Sequence, residues 1–405
     1  MSNIEIIICL LLLFMAVPDV CRKIGRAALV FPAFVIFGIL LGPFANLPVA
    51  TMLQQAGQVG FLLLLFEVGL ESTVQGMMKV GASSLLVAVL GIVAPFILGF
   101  GVSWLFIKEL PVELAAVVPA DFSLSYVHMF VGAVLCATSV GITARVFKDL
   151  GQLQKPEAQI ILGAAVIDDV LGLIILAVIS GIIAAASAGQ ALEVGALLRL
   201  IGMAFLFLGG ALGLGVWLVP KFMQQMGRFR TGGMMLISAL LLAFALSYLA
   251  NKVGLAAIIG AFAAGLILEE KHFHHFREKL HLEQWLKPLA TFFVPIFFVL
   301  MGIQVRLETF ADLAVLGVAA GLTIAAIIGK QICGLGVLEK GYDRLTVGVG
   351  MIPRGEVGLI FASIGKSLNV VNDAMFSAIV IMVIVTTLIT PPVLKFTLAR
   401  ANQKL

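Results

Sequence analysis

Charge is what this chain has least of. Only 12% of its 405 residues are Asp, Glu, Lys or Arg, against 61% hydrophobic, and the mean hydropathy is +1.15. A soluble protein of this size would be about half apolar and about a quarter charged. Composition therefore excludes a soluble enzyme and leaves no room for a sizeable water-facing domain. Cysteine is scarce as well. Cys9, Cys21, Cys136 and Cys333 share no metal-ligand spacing and lie in or beside apolar segments, so they read as small core hydrophobes. The net charge of +4 is no nucleic-acid signal, because the basic residues fall in loops of one parity. Residues 4–17 resemble a signal-peptide core, yet Arg22, Lys23 and Arg26 follow and no small-residue cleavage site stands out. The stretch reads as a retained first helix.

What is there is a succession of apolar runs of spanning length. They fall at 3–20, 29–42, 54–71, 82–106, 128–146, 158–185, 193–220, 232–250, 254–268, 286–304, 311–338, 345–365 and 373–397. This predicts an all-α polytopic membrane protein with 13 transmembrane helices. With the N-terminus outside and the C-terminus in the cytoplasm, inside segments hold nineteen basic residues. Outside loops hold five: Lys108, Arg199, Lys252, Arg306 and Lys366. That is the asymmetry of a plasma (inner) membrane protein. The remaining two of the 26 basic residues, Lys330 and Arg354, lie within spans.

Two spans carry breaks. Helix 5 places Thr138, Ser139 and Gly141 together near 138–141, and helix 12 places Pro353 among glycines near 351–355. Proline removes a backbone donor and clashes with the preceding turn. Irregular backbone at that depth survives only inside protein or along a cavity. The breaks are seven helices apart, an odd offset, so the two spans cross in opposite directions. Helices 2–6 and 9–13 then form inverted repeats with two crossed broken helices, the arrangement that marks a transporter's binding site.

Asp168 and Asp169 stand in the middle of helix 6. A charge at the bilayer centre costs at least ~2.5–3.5 kcal/mol and is normally functional. At 1.5 Å per residue, Asp168 lies ~15 Å from the inner end of helix 6 and Lys330 ~12 Å from that of helix 11. Thr138 is at mid-depth on the same count. Carboxylates, lysine and breaks therefore share one layer. A carboxylate withdrawn from water binds a proton or a small cation in competition, and a nearby lysine tunes that balance. We read Asp169 as the group that coordinates the cation, Na+ here, and Asp168 as the partner of Lys330. Lys330 would release a proton as sodium arrives, and Thr138 and Ser139 would supply hard oxygen ligands. The structural alternatives are a plain salt bridge for the aspartates and snorkelling for Lys330. For Thr138 and Ser139 the alternative is back-bonding to helix carbonyls. Arg354 and Glu356 either line the cavity or satisfy each other and the freed backbone; the second reading is favoured.

With these motifs in hand, the chain resembles the monovalent cation:proton antiporter superfamily, above all its bacterial electrogenic sodium/proton exchangers with thirteen helices. The likeness rests on Gly163-Ala-Ala-Val-Ile-Asp-Asp-Val-Leu-Gly, on Ala137-Thr-Ser and on Ile352-Pro-Arg-Gly-Glu-Val-Gly-Leu-Ile, and extends over essentially the whole chain. It implies that Asp169 is the ion-binding acid, Asp168 its partner and Lys330 the base of electrogenic members. Electroneutral members carry Asn before the Asp and Arg in place of the lysine, a pattern this chain departs from. It also implies a homodimer. Scaffold helices would occupy 1–73 and 232–304, core helices 82–185 and 311–400, and a linker helix 193–224.

The expected function is exchange of Na+, or Li+, for H+ by alternating access, with no resident cofactor and no catalytic residue. The alternatives are an electroneutral cation/proton exchanger, a sodium-coupled symporter of a small organic anion, and a channel or transport-dead sensor. No Thr-Val-Gly-Tyr-Gly filter is present to favour a channel. The run from Lys271 to His281 gathers four of the five histidines. It reads as an amphipathic interfacial helix, with a cytoplasmic pH sensor as the alternative. His128 is expected at the outer interface.

Overall fold

A chain this apolar has to close its backbone hydrogen bonds within each segment, and among the described residues every regular element is helical. The computed structural model describes residues 13, 16–21, 30–41, 47–71, 81–110, 112–116, 118–119, 122–152, 154–189, 194–229, 232–253, 255–274, 276, 281–305, 308 and 311–402. The expected first span, and Arg22, Lys23 and Arg26 after it, lie largely outside them. Among the described residues seven helices are long and apolar enough to cross a membrane, or nine if each bent pair is one span; three further apolar helices are shorter.

One compact unit comprises Met1–Ala16, Phe44–Met78 and Glu193–Leu300. It holds α2 (Leu47–Glu71), α7 (Val194–Met226), α8 (Met234–Lys252), α9 (Ala257–Ile267) and most of α10 (Leu282–Ile303). Helix α9 is only 11 residues long and is buried from Ile258 to Ile267. It is rich in small residues because its neighbours press onto its backbone: Gly265 lies on Phe66 and Gly69 of α2, and Gly260 on Leu246 and Ser247 of α8. Phe61 stacks on Phe297 at 5.1 Å between ring centres, joining α2 to α10.

The other unit comprises Val17–Pro43, Lys79–Leu192 and Met301–Leu405. Its helices are α1 (Val30–Leu41), α3 (Ala82–Phe106), α4 (Ser125–Cys136), α5 (Val140–Asp149) and α6 (Pro156–Ser187). After the chain returns they are α11 (Leu313–Cys333), α12 (Arg344–Gly350), α13 (Gly355–Ser367) and α14 (Asp373–Asn402). Helix α3 packs against α4, α6 and α11, and small residues set the spacing. A Cβ on Gly329 of α11 would stand 2.8 Å from the Pro95 Cα of α3, and one on Gly132 of α4 would stand 2.8 Å from the Phe96 carbonyl oxygen. The caps are polar. Asp312 accepts from the Ala314 N–H at 2.8 Å to start α11, and Asp343 accepts from the Thr346 N–H at 3.3 Å to start α12. Glu157, in the first turn of α6, accepts from the Asp343 N–H at 3.1 Å. The described cysteines Cys21, Cys136 and Cys333 are buried and unbridged.

Candidate functional site

The broken segments lie where proline and small polar residues interrupt the apolar pattern. Helix α4 ends at Cys136 and α5 starts at Val140, leaving residues 137–139 outside helical geometry. Helices α12 and α13 are bent by 48° across residues 351–354. The two breaks meet. The Ser139 N–H donates to the Pro353 carbonyl at 2.8 Å. Arg354, fully buried, donates from one Nη to the Ala137 carbonyl at 2.6 Å and from the other to the Ala326 carbonyl of α11 at 3.1 Å. The Thr143 hydroxyl of α5 donates to the Gly350 carbonyl at 2.6 Å, where α12 ends. Gly355 opens α13 with a φ of +45°, and a Cβ there would overlap the Ser139 side chain. Its N–H donates to the Thr387 hydroxyl of α14 at 3.3 Å.

Arg354 and Glu356 do not pair with each other, contrary to expectation. The guanidinium is taken up by the Ala137 carbonyl, which the break leaves open, and by the Ala326 carbonyl inside α11. The Glu356 carboxylate instead accepts from the Ser139 hydroxyl, at 2.9 and 2.8 Å to its two oxygens. The expected satisfaction of freed backbone does hold for Arg354.

Asp168 of α6 and Lys330 of α11 face each other inside the unit. The Lys330 Nζ lies 3.2 Å from Asp168 Oδ1 and 3.3 Å from Oδ2, and the two side chains are 0% and 1% exposed. Lys330 therefore does not snorkel. Room for its ammonium comes from α3, because a Cβ on Gly91 would stand 3.3 Å from Nζ. The Thr138 hydroxyl sits beside the Asp168 carboxylate but forms no hydrogen bond, and it is fully buried. Neither Thr138 nor Ser139 back-bonds to its own helix. Asp169 is half-buried, about 100° further round α6 than Asp168. The layer thus holds two acids side by side, a buried acid–base pair, and an unused hydroxyl oxygen at a helix break. That set can trade a proton for a small hard cation.

Two expectations are corrected. His128 is not exposed. It is 3% exposed inside the second unit, with Nδ1 2.8 Å from the Ser103 hydroxyl and its ring edge-on to Phe100. Helix α4 begins at Ser125 and packs closely on α3, so three residues in it is already covered. The histidine segment is not an amphipathic helix among its described residues, where Glu270–Phe273 is one 3₁₀ turn. His272 is buried and its Nδ1 accepts from the Glu269 N–H at 3.1 Å. Burial holds its pKa below the usual imidazole range, with Lys271 adding to that and Glu269 opposing it. His275 and residues 277–280 lie outside the described residues.

Sequence reasoning did not single out Thr143, Gly91 or the carbonyls of Ala137 and Ala326. Thr143 offered a faint signal, as one more hydroxyl five residues past Thr138. Carbonyls offer none, since every residue has one.

Residues 9–400 match the family profile described as "Sodium/hydrogen exchanger, transmembrane". The chain is 39% identical over 353 residues to the high-affinity Na+/H+ antiporter NhaS3 of Synechocystis, covering 86% of this chain and 72% of that one. It is 33% identical over 392 residues to the Na+/H+-K+ antiporter GerN of Bacillus cereus, covering 95% and 93%. Among solved structures, the sodium proton antiporter MjNhaP1 from Methanocaldococcus jannaschii superimposes with a TM-score of 0.69 over 98% of this chain and 96% of that one. At 17% identity, that likeness speaks for the fold.

Proposed function

The chain belongs to the sodium/hydrogen exchanger family, and we propose that it is a secondary antiporter exchanging Na+ for H+ across the membrane by alternating access. The family is one of membrane transporters, not enzymes. The observation that carries the reading is the sealed Asp168–Lys330 pair at 3.2 Å, next to half-buried Asp169 and the unpartnered Thr138 hydroxyl. A buried ion pair is no source of stability worth conserving for its own sake, since its desolvation cost offsets its attraction. Its use is to be broken and remade. Asp169 takes the cation with Thr138 as an oxygen ligand. Asp168 loses its ion-pair partner when Lys330 gives up its proton to the open side, and its carboxylate keeps the layer's charge in step.

The same reading makes the exchange electrogenic, with two protons per Na+, and extends to Li+. One net charge per cycle couples to the membrane potential at about 2.3 kcal/mol per 100 mV. The architecture that goes with it has thirteen helices, inverted repeats of helices 2–6 and 9–13, and broken helices that cross. The N-terminus is outside and the C-terminus cytoplasmic. A homodimer of scaffold helices holds mobile cores at 82–185 and 311–400. The GerN relative, named for Na+/H+-K+ exchange, makes K+ the competing cation to include in every assay.

The deciding experiment is Na+-driven proton efflux from proteoliposomes, with and without an imposed potential, for the wild type and Asp169→Asn. Potential-dependent exchange that vanishes in the variant is the expected result. Exchange indifferent to potential would make Lys330 a structural residue, and activity surviving in Asp169→Asn would move the ion site elsewhere.

A further inference from the structure

Glu356 is an acid that the exchange cycle above does not use. It is half-buried, and the one basic side chain near it in sequence, Arg354, is turned away onto the Ala137 and Ala326 carbonyls. Its carboxylate accepts from Ser139 Oγ, shared between both oxygens at 2.9 and 2.8 Å, and from its own backbone N–H in the first turn of α13. A partly buried carboxylate served only by neutral donors, with no basic side chain upon it, is one that a proton or a cation would complete. Ser139 spends its one hydrogen on Glu356 and keeps its oxygen lone pairs, so the pair presents three hard oxygens, the ligand type that alkali cations favour.

Its position is as telling as its chemistry. The neighbouring residue, Thr138, places its hydroxyl beside Asp168 with no hydrogen bond, although it is fully buried. Successive Cα atoms are about 3.8 Å apart, so two adjacent hydroxyls on one short break touch two different acids. Gly355 keeps the arrangement tight, since any side chain there would overlap Ser139. We propose that Glu356 and Ser139 form a second cation station, through which the transported ion passes on its way to or from Asp169. The ion displaces the Ser139 hydrogen bond at Glu356 and then moves across residues 138–139 to the aspartate pair. This rests on the antiport reading and adds to it a specificity-determining residue on the opposite side of the break.

The test is ²²Na+ uptake into proteoliposomes as a function of Na+ concentration, with Na+ binding to the purified full chain measured by calorimetry. Glu356→Gln should raise the half-saturating Na+ about tenfold, ~1.4 kcal/mol of lost binding, with a smaller change in maximal rate. Ser139→Ala, which keeps the acid and removes one oxygen, should raise it roughly threefold, about 0.7 kcal/mol. A structural role would instead lower the maximal rate and thermal stability and leave half-saturation where it was, which overturns the proposal. Should Glu356→Gln fail to fold, Ser139→Ala decides, and unchanged half-saturation there overturns it equally. Asp169→Asn, run alongside, separates the two readings: exchange persisting in it condemns the antiport site, whereas a shift confined to Glu356 and Ser139 speaks to the second station alone.

Discussion

The two breaks are built from opposite materials. The break at 137–139 contributes oxygens: the Ala137 carbonyl, the Thr138 hydroxyl and the Ser139 hydroxyl. The break at 351–354 and the turn after it contribute charge and backbone licence: the Arg354 guanidinium, the Glu356 carboxylate and the positive φ of Gly355. Neither would be stable alone at membrane depth, where an unpaired backbone group costs several kcal/mol. Each satisfies what the other leaves open, and the remainder, Thr138 and Glu356, is where the proposed ion route runs. The difference teaches that a pair of interrupted helices is one site made in two halves.

The sharpest way to break this complementarity is to remove the guanidinium. Arg354→Met keeps much of the side chain's bulk and strands the Ala137 carbonyl at the break, whereas the Ala326 carbonyl keeps its place in the helical ladder of α11. At ~1–3 kcal/mol for a buried group deprived of its partner, the stranded Ala137 carbonyl sets the scale of the loss. It would be read as a large fall in the midpoint of thermal unfolding in detergent, with transport falling in parallel. Arg354→Lys, which can reach one carbonyl, should fall between. If Arg354→Met melts with the wild type, the guanidinium is not what holds the halves together.

A smaller effect is expected from Gly355→Ala. The substitution puts an L residue at φ +45°, a conformation costing about 1–2 kcal/mol, and drives a methyl into Ser139. The Ser139–Glu356 contact should open, so this variant should shift half-saturating Na+ as well as stability. Gly141→Ala, in the first turn of α5 just past the other break, is the control, because nothing lies within 4 Å of a Cβ there. Equal effects of the two substitutions would erase the asymmetry between the halves.

Much of this was legible before any geometry. Proline and glycine punctuate helix 12 so strongly that its interruption could be read from Pro353 alone. A constant rise per residue put Asp168 and Lys330 at similar depth on two spans, and their contact at 3.2 Å is what the structure adds. What could not be read was how polar groups divide their partners. Arg354 and Glu356 are two residues apart with opposite charges, so pairing was the natural expectation. The structure sends them in different directions because the Ala137 carbonyl freed by the facing break and the Ala326 carbonyl of α11 compete for the guanidinium, and carbonyls carry no sequence identity. His128 was misplaced for a related reason. Its depth along the helix was countable, but the neighbour that buries it, Ser103 on α3, was not.

The mildest cut falls on Thr143, which joins the halves without touching either acid. Its hydroxyl donates to the Gly350 carbonyl at 2.6 Å and is fully buried. Thr143→Val replaces the hydroxyl by a methyl of similar shape and strands one carbonyl, for an expected cost of ~1–2 kcal/mol. The substitution leaves the Ser139–Glu356 contact and the Thr138 hydroxyl untouched, so half-saturating Na+ should stay within about twofold while the thermal midpoint drops. That split separates the scaffold of the break pair from its ion-handling remainder. A Na+ shift in Thr143→Val as large as that in Glu356→Gln would mean that the two breaks move as a single rigid piece, and that no residue within them handles the ion independently of the rest.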